Sequence, residues 1–133
     1  MPLRIELKPF ERLIINGAAI RNGDRRSVFL VETQCKFLRE SEIILESEAD
    51  TACKRLCVTL QFLYLADAPA EAMDLFVRQA TELLREVPST APYVLAIQDE
   101  LEAGHYHKAI KRGRDLVAYE RALGARIAPS ADA

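Results

Sequence analysis

Basic side chains are spread through the first third of the chain, at strand ends and turns of the predicted sheet. They are Arg4, Lys8, Arg12, Arg21, Arg25, Arg26 and Arg39. Clustered Lys and Arg side chains neutralise phosphates and release counterions, and the edge of a small sheet can read splayed bases. This pattern predicts contact with single-stranded RNA. The alternative is that these residues keep the sheet soluble and pair with nearby carboxylates, and the residues alone leave both interpretations open.

Other kinds of chemistry have little support in the sequence. Cys53 and Cys57 are one turn apart on a predicted helix, but no two further metal ligands follow at a suitable spacing. His105 and His107 would diverge on a helix, and neither a Gly-rich phosphate loop nor a nucleophile–histidine signature is present. We therefore expect no enzyme activity, no metal ion and no cofactor.

A second basic cluster lies late in the chain, at Lys108, Lys111 and Arg112. On a helix these side chains share one face, opposite Ala109 and Ile110. Phosphate contact is one interpretation of such a face. We favour the other, a solvated polar face, because runs of charge are commonly surface.

The overall composition is that of a globular protein. The chain has 133 residues, 50% of them hydrophobic and 29% charged, and a formal net charge of −2. Residues 1–45 carry eight Lys or Arg against six Asp or Glu, so the first third is slightly basic. No apolar run approaches the ~20 residues that cross a bilayer, and the N-terminus does not resemble a signal peptide. We expect a cytoplasmic protein that does not associate with a membrane.

The hydrophobic pattern changes near residue 45. Before it, short β-branched runs alternate with polar residues and are separated by Asn16-Gly17 and Asn22-Gly23, which predicts four or five antiparallel strands. After it, apolar residues recur at helical spacing and predict about four helices. The fold class is therefore α+β, with a β module at residues 1–45, a helical bundle at 46–124 and a flexible tail at 125–133.

Individual helix boundaries can also be predicted. Ser47 or Asp50 is suited to cap the first helix, which runs over 51–66 and is apolar almost all round. Such a helix is buried on most sides or forms a subunit interface. Gly124 is expected to end the last helix, which begins near Tyr106.

The sequence resembles the FlbT family of flagellin-synthesis regulators from Pro2 to about Gly124. The resemblance is carried by "MPLRIELKPFERLIINGAAIRNGDRRSVFLVE", "FLRESEII", "LYLA" and "YERALG", in that order. It is most specific at "ERLIINGAAIRNGDRR". One departure is Phe10, where the family pattern has Gly before Glu11.

This resemblance implies a bacterial cytoplasmic regulator that acts after transcription. Such proteins associate with the 5′ leader of flagellin messenger RNA, lower its translation and promote its decay. They act with or against the small protein FlaF, and some members act positively, so the resemblance does not set the sign of the effect.

Residues 3–44 also resemble the carbon storage regulator family of small RNA-binding proteins. "LRIELKPFERLIING" and "KFLRESEII" carry this likeness, which implies an interleaved β dimer that holds RNA at its sheet edges. By position, Arg39 matches the RNA-contacting arginine of the last strand and Lys8 a basic residue that ends the first. Leu7 stands where a second basic residue would be.

These observations lead to two hypotheses. In the first, the protein is a homodimer that binds a flagellin leader through Arg39 and Lys8, supported by Arg4, Arg21, Arg25 and Arg26. The homodimer is expected because the sheet has exposed edges. In the second, the helical half is an adaptor or chaperone that binds a flagellar protein of the FlaF type, and effects on messenger RNA are indirect.

Overall fold

A computed structural model describes residues 3–66 and 69–132, with side chains to residue 124. It divides into two compact units, one extending to Ile43 and the other beginning at Ile44. The first contains five strands and the second four α-helices. The predicted α+β class, with a β module followed by a helical bundle, is confirmed.

The β unit consists of two small antiparallel sheets. Its strands are β1 (Leu3–Leu7), β2 (Arg12–Ile15), β3 (Ala18–Arg21), β4 (Ser27–Val31) and β5 (Phe37–Arg39). One sheet pairs β1 with β4, and the other has the order β3-β2-β5. These strands coincide with the β-branched, alternating runs of the sequence, because one face of each run is apolar.

The core of the β unit follows from that alternation. Ile5, Leu7 and Leu13 are almost fully buried. Partly buried apolar side chains from β2, β4 and β5 pack against them: Ile15, Phe29, Val31 and Phe37. Burying an aliphatic side chain of this size stabilises a fold by about 1.5–3 kcal/mol. The register of each strand is therefore set by which of its faces is apolar.

The turn between β2 and β3 is formed by the first Asn-Gly pair. Asn16 has φ 48° and Gly17 has φ 84°. Two consecutive positive φ values define the hairpin turn whose twist matches its strands, and Asn and Gly tolerate them best. The carboxamide oxygen of Asn16 also accepts a 3.0 Å hydrogen bond from the main-chain N–H of Lys36. The predicted turn is confirmed.

The helical unit contains α1 (Ala52–Leu65), α2 (Ala70–Glu86), α3 (Ala91–Glu102) and α4 (Tyr106–Asp132). Thr51, not Ser47 or Asp50, caps α1, because its hydroxyl accepts a hydrogen bond from the N–H of Lys54. Asp50 instead pairs with the Lys54 ammonium at 3.1 Å. In the described part of the chain, no helix combines the length and the apolar composition needed to cross a membrane.

Helix α4 packs closely on α1 at Gly113. A Cβ atom at this position would lie 2.9 Å from both Cys57 Sγ and Leu60 Cδ1, so any larger residue would force these side chains to shift. The helix then continues through Gly124 to Asp132, and the predicted end at Gly124 is wrong. A glycine inside a helix costs only about 1 kcal/mol relative to alanine, which neighbouring helix formers offset. The flexibility of residues 125–133 stays a prediction.

Candidate functional site

An open cleft of about 350 Å³ lies within the β unit. Among the described residues, those that line it are all charged: Arg4, Glu6, Lys8, Glu11, Arg26 and Arg39. Pockets for small organic ligands are mainly apolar, with few polar groups. This cleft is instead suited to a charged and well-hydrated ligand.

The β1–β4 register places the first wall of the cleft. Along β1, Ile5 and Leu7 point into the core, so Arg4 and Glu6 lie on the opposite face. Leu7 pairs with Ser27 at the end of the ladder, and Lys8 and Arg26, the next residue of each segment, both line the cleft. The fold thereby brings together two cations that are far apart in the sequence.

Arg39 reaches the cleft from the other sheet. It is the last residue of β5 and pairs with Leu13 of β2. Its guanidinium lies over the ring of Phe37, 5.8 Å from the ring centroid, and its main-chain N–H donates to Glu42 Oε1 at 3.0 Å. A cation–π contact and a tethered backbone restrict this side chain before any ligand arrives.

The charges that line the cleft are only partly compensated. Arg4 pairs with Glu6 at 3.0 Å, and Glu11 accepts a 2.8 Å hydrogen bond from the main-chain N–H of Lys8. The side chains of Lys8, Arg26 and Arg39 form no ion pair within residues 3–66 and 69–124. The lining has four cations against two carboxylates, and this excess of positive charge attracts a polyanion.

Two of the predicted site residues lie outside the lining of the cleft. Arg21 is on β3, where its Nη1 donates to the carbonyl oxygen of Phe10 at 3.3 Å. Arg25 is exposed, and its carbonyl oxygen accepts a hydrogen bond from Asn22. The structure thus groups Arg4, Lys8, Arg26 and Arg39 but not these two arginines.

Arg12 is instead held by an ion pair within the β unit. Both its main-chain N–H and its Nε donate to Glu40 Oε1, at 3.2 and 3.3 Å. The main-chain hydrogen bond is the largest cause that holds the pKa of Glu40 below its ordinary value, followed by the guanidinium of Arg12. This pair joins the start of β2 to the residues that follow β5.

Asn22 is a positioning residue that the sequence shows only as part of a turn. Its Nδ2 donates to the carbonyl oxygens of Lys8 and Arg25, each at 2.8 Å, and of Leu7 at 3.3 Å. Its Oδ1 accepts from the hydroxyl of Ser27 at 2.9 Å. One carboxamide therefore joins the two segments that carry Lys8 and Arg26. An Asn-Gly pair, separated from the basic pair Arg25-Arg26 by a single Asp, is the signal that could have indicated it.

The thiols of Cys53 and Cys57 in the helical unit are unsuited to nucleophilic attack or metal binding. Cys53 and Cys57 are buried, and this burial raises the pKa of both, that of Cys57 to about 12. The nearby carboxylate of Glu120 acts in the same direction. Both thiols stay protonated at neutral pH, and a thiolate is the form that attacks or binds metal.

Polar side chains near the basic cluster of Lys108, Lys111 and Arg112 contact one another within the helical unit. His105 Nδ1 lies 3.3 Å from Glu100 Oε1, and Arg112 contacts both Glu100 and Asp115. Among the described residues, no three His, Cys, Asp or Glu side chains gather closely enough to hold a metal ion. Arg112 is thus largely neutralised by its neighbours.

Comparison with known proteins assigns the family. A sequence model described as "Flagellar protein FlbT" matches residues 3–123. The chain belongs to the FlbT family. The match extends over both units of the protein and includes every residue that lines the cleft.

Members of the FlbT family align with almost the whole chain. A protein of Rhodopseudomonas palustris (strain TIE-1), named "Probable flagellum biosynthesis repressor protein FlbT", is 36% identical over 95% of this chain and 100% of its own. One of Caulobacter sp. (strain K31) with the same name is 35% identical, over 90% and 94% of the two chains.

A third relative carries a more definite name. The "Flagellum biosynthesis repressor protein FlbT" of Caulobacter vibrioides (strain ATCC 19089 / CIP 103742 / CB 15) is 32% identical, over 90% of this chain and 87% of its own. No solved structure matches the chain. The names of these relatives describe repressors of flagellum biosynthesis.

Proposed function

We propose that this protein regulates flagellin synthesis in the cytoplasm by binding the 5′ leader of flagellin messenger RNA, which lowers translation and promotes decay of the message. The observation that carries the proposal is the convergence of Lys8, Arg26 and Arg39, without ion-pair partners in the described chain, on one charged cleft. The repressor names of the relatives support the regulatory part of it.

The charge distribution favours a single strand as the ligand. The whole chain has a formal charge of −2, so attraction of RNA must be local. Double-stranded RNA is recognised by contacts spread over about 16 base pairs, whereas an unpaired strand can bend its phosphates into a short groove. A cleft of about 350 Å³ offers such a short groove.

Occupation of the leader explains both proposed effects. A protein bound near the start of the message competes with ribosomes for the same segment. A message that carries fewer ribosomes is more exposed to nucleases, so lower translation and faster decay follow from one binding event.

The direct test is titration of labelled flagellin leader RNA with the full-length protein at several salt concentrations. Each phosphate contact to a single strand contributes about −0.7 to the slope of log affinity against log salt. We expect Arg39→Ala to weaken binding about tenfold and to reduce the slope by about one such contact, because a charged hydrogen bond is lost. Circular dichroism of the variant would show that the fold is retained.

The neighbours Arg25 and Arg26 provide a matched control. Arg26 lines the cleft and Arg25 does not, so Arg26→Ala should weaken binding more than Arg25→Ala, although both remove one charge from adjacent positions. Binding by the parent protein without a salt slope, or an Arg39→Ala variant that binds as well as the parent, would contradict the proposed site.

We also propose that the protein acts as a homodimer. Among the described residues, two strands form the β1–β4 sheet, and Leu30 on β4 leaves 61% of its surface exposed. Open edges and apolar strand surfaces favour pairing with another chain. Sedimentation equilibrium of the full-length protein tests this, and a monomer at micromolar concentration would refute it.

The adaptor hypothesis remains a second candidate because of exposed apolar side chains in the helical unit. Phe62 on α1, Val77 on α2 and Leu95 on α3 each expose more than half of their surface. Under this hypothesis, Val77→Glu would abolish capture of a FlaF-type protein by the full-length chain. The adaptor hypothesis would also be favoured if no substitution of a cleft residue weakened the binding of leader RNA.

A further inference from the structure

Phe10 is an aromatic side chain on the surface of the β unit. It lies in the turn between β1 and β2, where the carbonyl oxygen of Lys8 accepts a 3.1 Å hydrogen bond from the N–H of Glu11. The side chain is 56% exposed. Since Lys8 and Glu11 both line the cleft, Phe10 lies in the turn directly between two residues of the charged site.

The backbone at Phe10 is in a conformation that favours glycine. Its φ is 62°, in the left-handed region. The preceding Pro9 and a positive φ at the next residue are typical of a type II turn, in which Gly is preferred at the position of Phe10. A residue with a Cβ atom is strained there, so the phenyl group is present at a cost to stability that burial does not repay.

The surrounding structure holds this strained residue in place. The N–H of Phe10 donates to the carbonyl oxygen of Gly23 at 2.9 Å, and its own carbonyl oxygen accepts from Arg21 Nη1 at 3.3 Å. Strained conformations persist only where the surroundings determine them in this way, and they cluster at binding sites. These contacts also fix one guanidinium, that of Arg21, next to the turn.

We infer that Phe10 is a stacking platform for an unpaired base of the strand whose phosphates occupy the cleft. This inference rests on the proposed function and adds a base-contacting residue to a site that otherwise offers only charge. Aromatic rings stack on any base, so the contact adds affinity without selecting a sequence. The ligand class is a single strand with one unstacked base beside its phosphates, bound between Phe10 and the cations of the cleft.

The decisive variant is Phe10→Gly, because the inference and a purely structural role predict different results. Glycine removes the ring and relieves the positive φ, so the melting temperature should rise. Affinity for the flagellin leader RNA should fall roughly 5- to 150-fold, the range for loss of one base–aromatic stack. The salt slope should stay that of the parent, since no phosphate contact is removed. Phe10→Tyr should retain affinity, and Phe10→Leu, which is apolar but not aromatic, should lose it.

Fluorescence gives a second readout that is independent of affinity. The chain contains no tryptophan, so Phe10→Trp introduces a single indole at the turn. Stacking on a base should quench its emission when leader RNA is added. Phe62→Trp is the matched control, because Phe62 is 58% exposed but belongs to the helical unit. Its emission should change little.

The outcomes separate this inference from the proposed function. Salt-dependent leader binding by the parent together with parental affinity in Phe10→Gly overturns the stacking platform and leaves the proposed function standing. Absence of leader binding by the parent overturns the proposed function itself and the inference with it. A Phe10→Gly variant that loses capture of a protein partner but not of RNA also overturns the inference.

Discussion

The carboxamide of Asn22 donates a 2.8 Å hydrogen bond to the carbonyl oxygen of Lys8, fourteen residues earlier in the chain. The same Nδ2 donates to the carbonyl oxygen of Arg25. Two segments that carry cations of the cleft are thus joined by one neutral side chain. The geometry of the candidate site therefore depends on a residue that does not line it.

Replacement of Asn22 by Asp tests this dependence. Asp keeps the size of the side chain but places a carboxylate oxygen against three carbonyl oxygens, so we expect the free energy of unfolding to fall by about 1–3 kcal/mol. Asn16→Asp is the matched control, because Asn16 uses only its side-chain oxygen, as an acceptor from Lys36. That variant should stay within about 0.5 kcal/mol of the parent in urea unfolding. Equal losses for both variants would contradict the role assigned to Asn22.

Substitution of Gly113 tests the close contact between α4 and α1. Gly113→Ala should lower the free energy of unfolding by about 1–3 kcal/mol, because the added methyl group overpacks a core already filled by Cys57 and Leu60. For Gly124→Ala we expect the opposite change in the free energy of unfolding. In the described part of the chain, no atom other than those of the two neighbouring residues and the backbone of the same helix lies within 4 Å of a Cβ at that position. Alanine should therefore stabilise the helix by up to ~1 kcal/mol. Thermal unfolding of both variants checks the pair. A loss at Gly124 would contradict the continuous α4 helix.

The ion pair between Arg12 and Glu40 predicts a pH dependence of stability. Since the pKa of Glu40 is lowered in the folded state, its carboxylate contributes stability above the ordinary value of 4.5. That contribution is lost as the pH falls through the lower, folded-state pKa. We therefore expect the urea midpoint of Glu40→Gln to lie below that of the parent at pH 7 and to approach it in acid.

Glu82→Gln serves as the control for this titration, since Glu82 is an exposed residue of α2. Its urea midpoint should follow that of the parent across the same pH range. A difference between Glu40→Gln and the parent that persists unchanged well below pH 4.5 would show that the carboxylate charge is not its cause.

Elements that depend on local patterns could be predicted from the sequence. The alternation in β1 and the Asn16-Gly17 turn appear in the structure as expected, because pleat periodicity and positive φ are local properties. The cap of α1 and the end of α4 could not be assigned correctly. Several residues near Thr51 can cap a helix, and one glycine costs too little to decide where a helix ends.

The same distinction holds for the candidate site. The strands, the family and the excess of cations in the first third of the chain follow from the order of the amino acids. Which of these cations share a cleft depends on how the strands pair and pack. Strand pairing ends at Leu7 and Ser27, next to Lys8 and Arg26, and these two residues line one cleft with Arg39 of the second sheet, whereas Arg12 is held by Glu40. Local periodicity sets the direction of each side chain, but pairing between distant strands sets its neighbours.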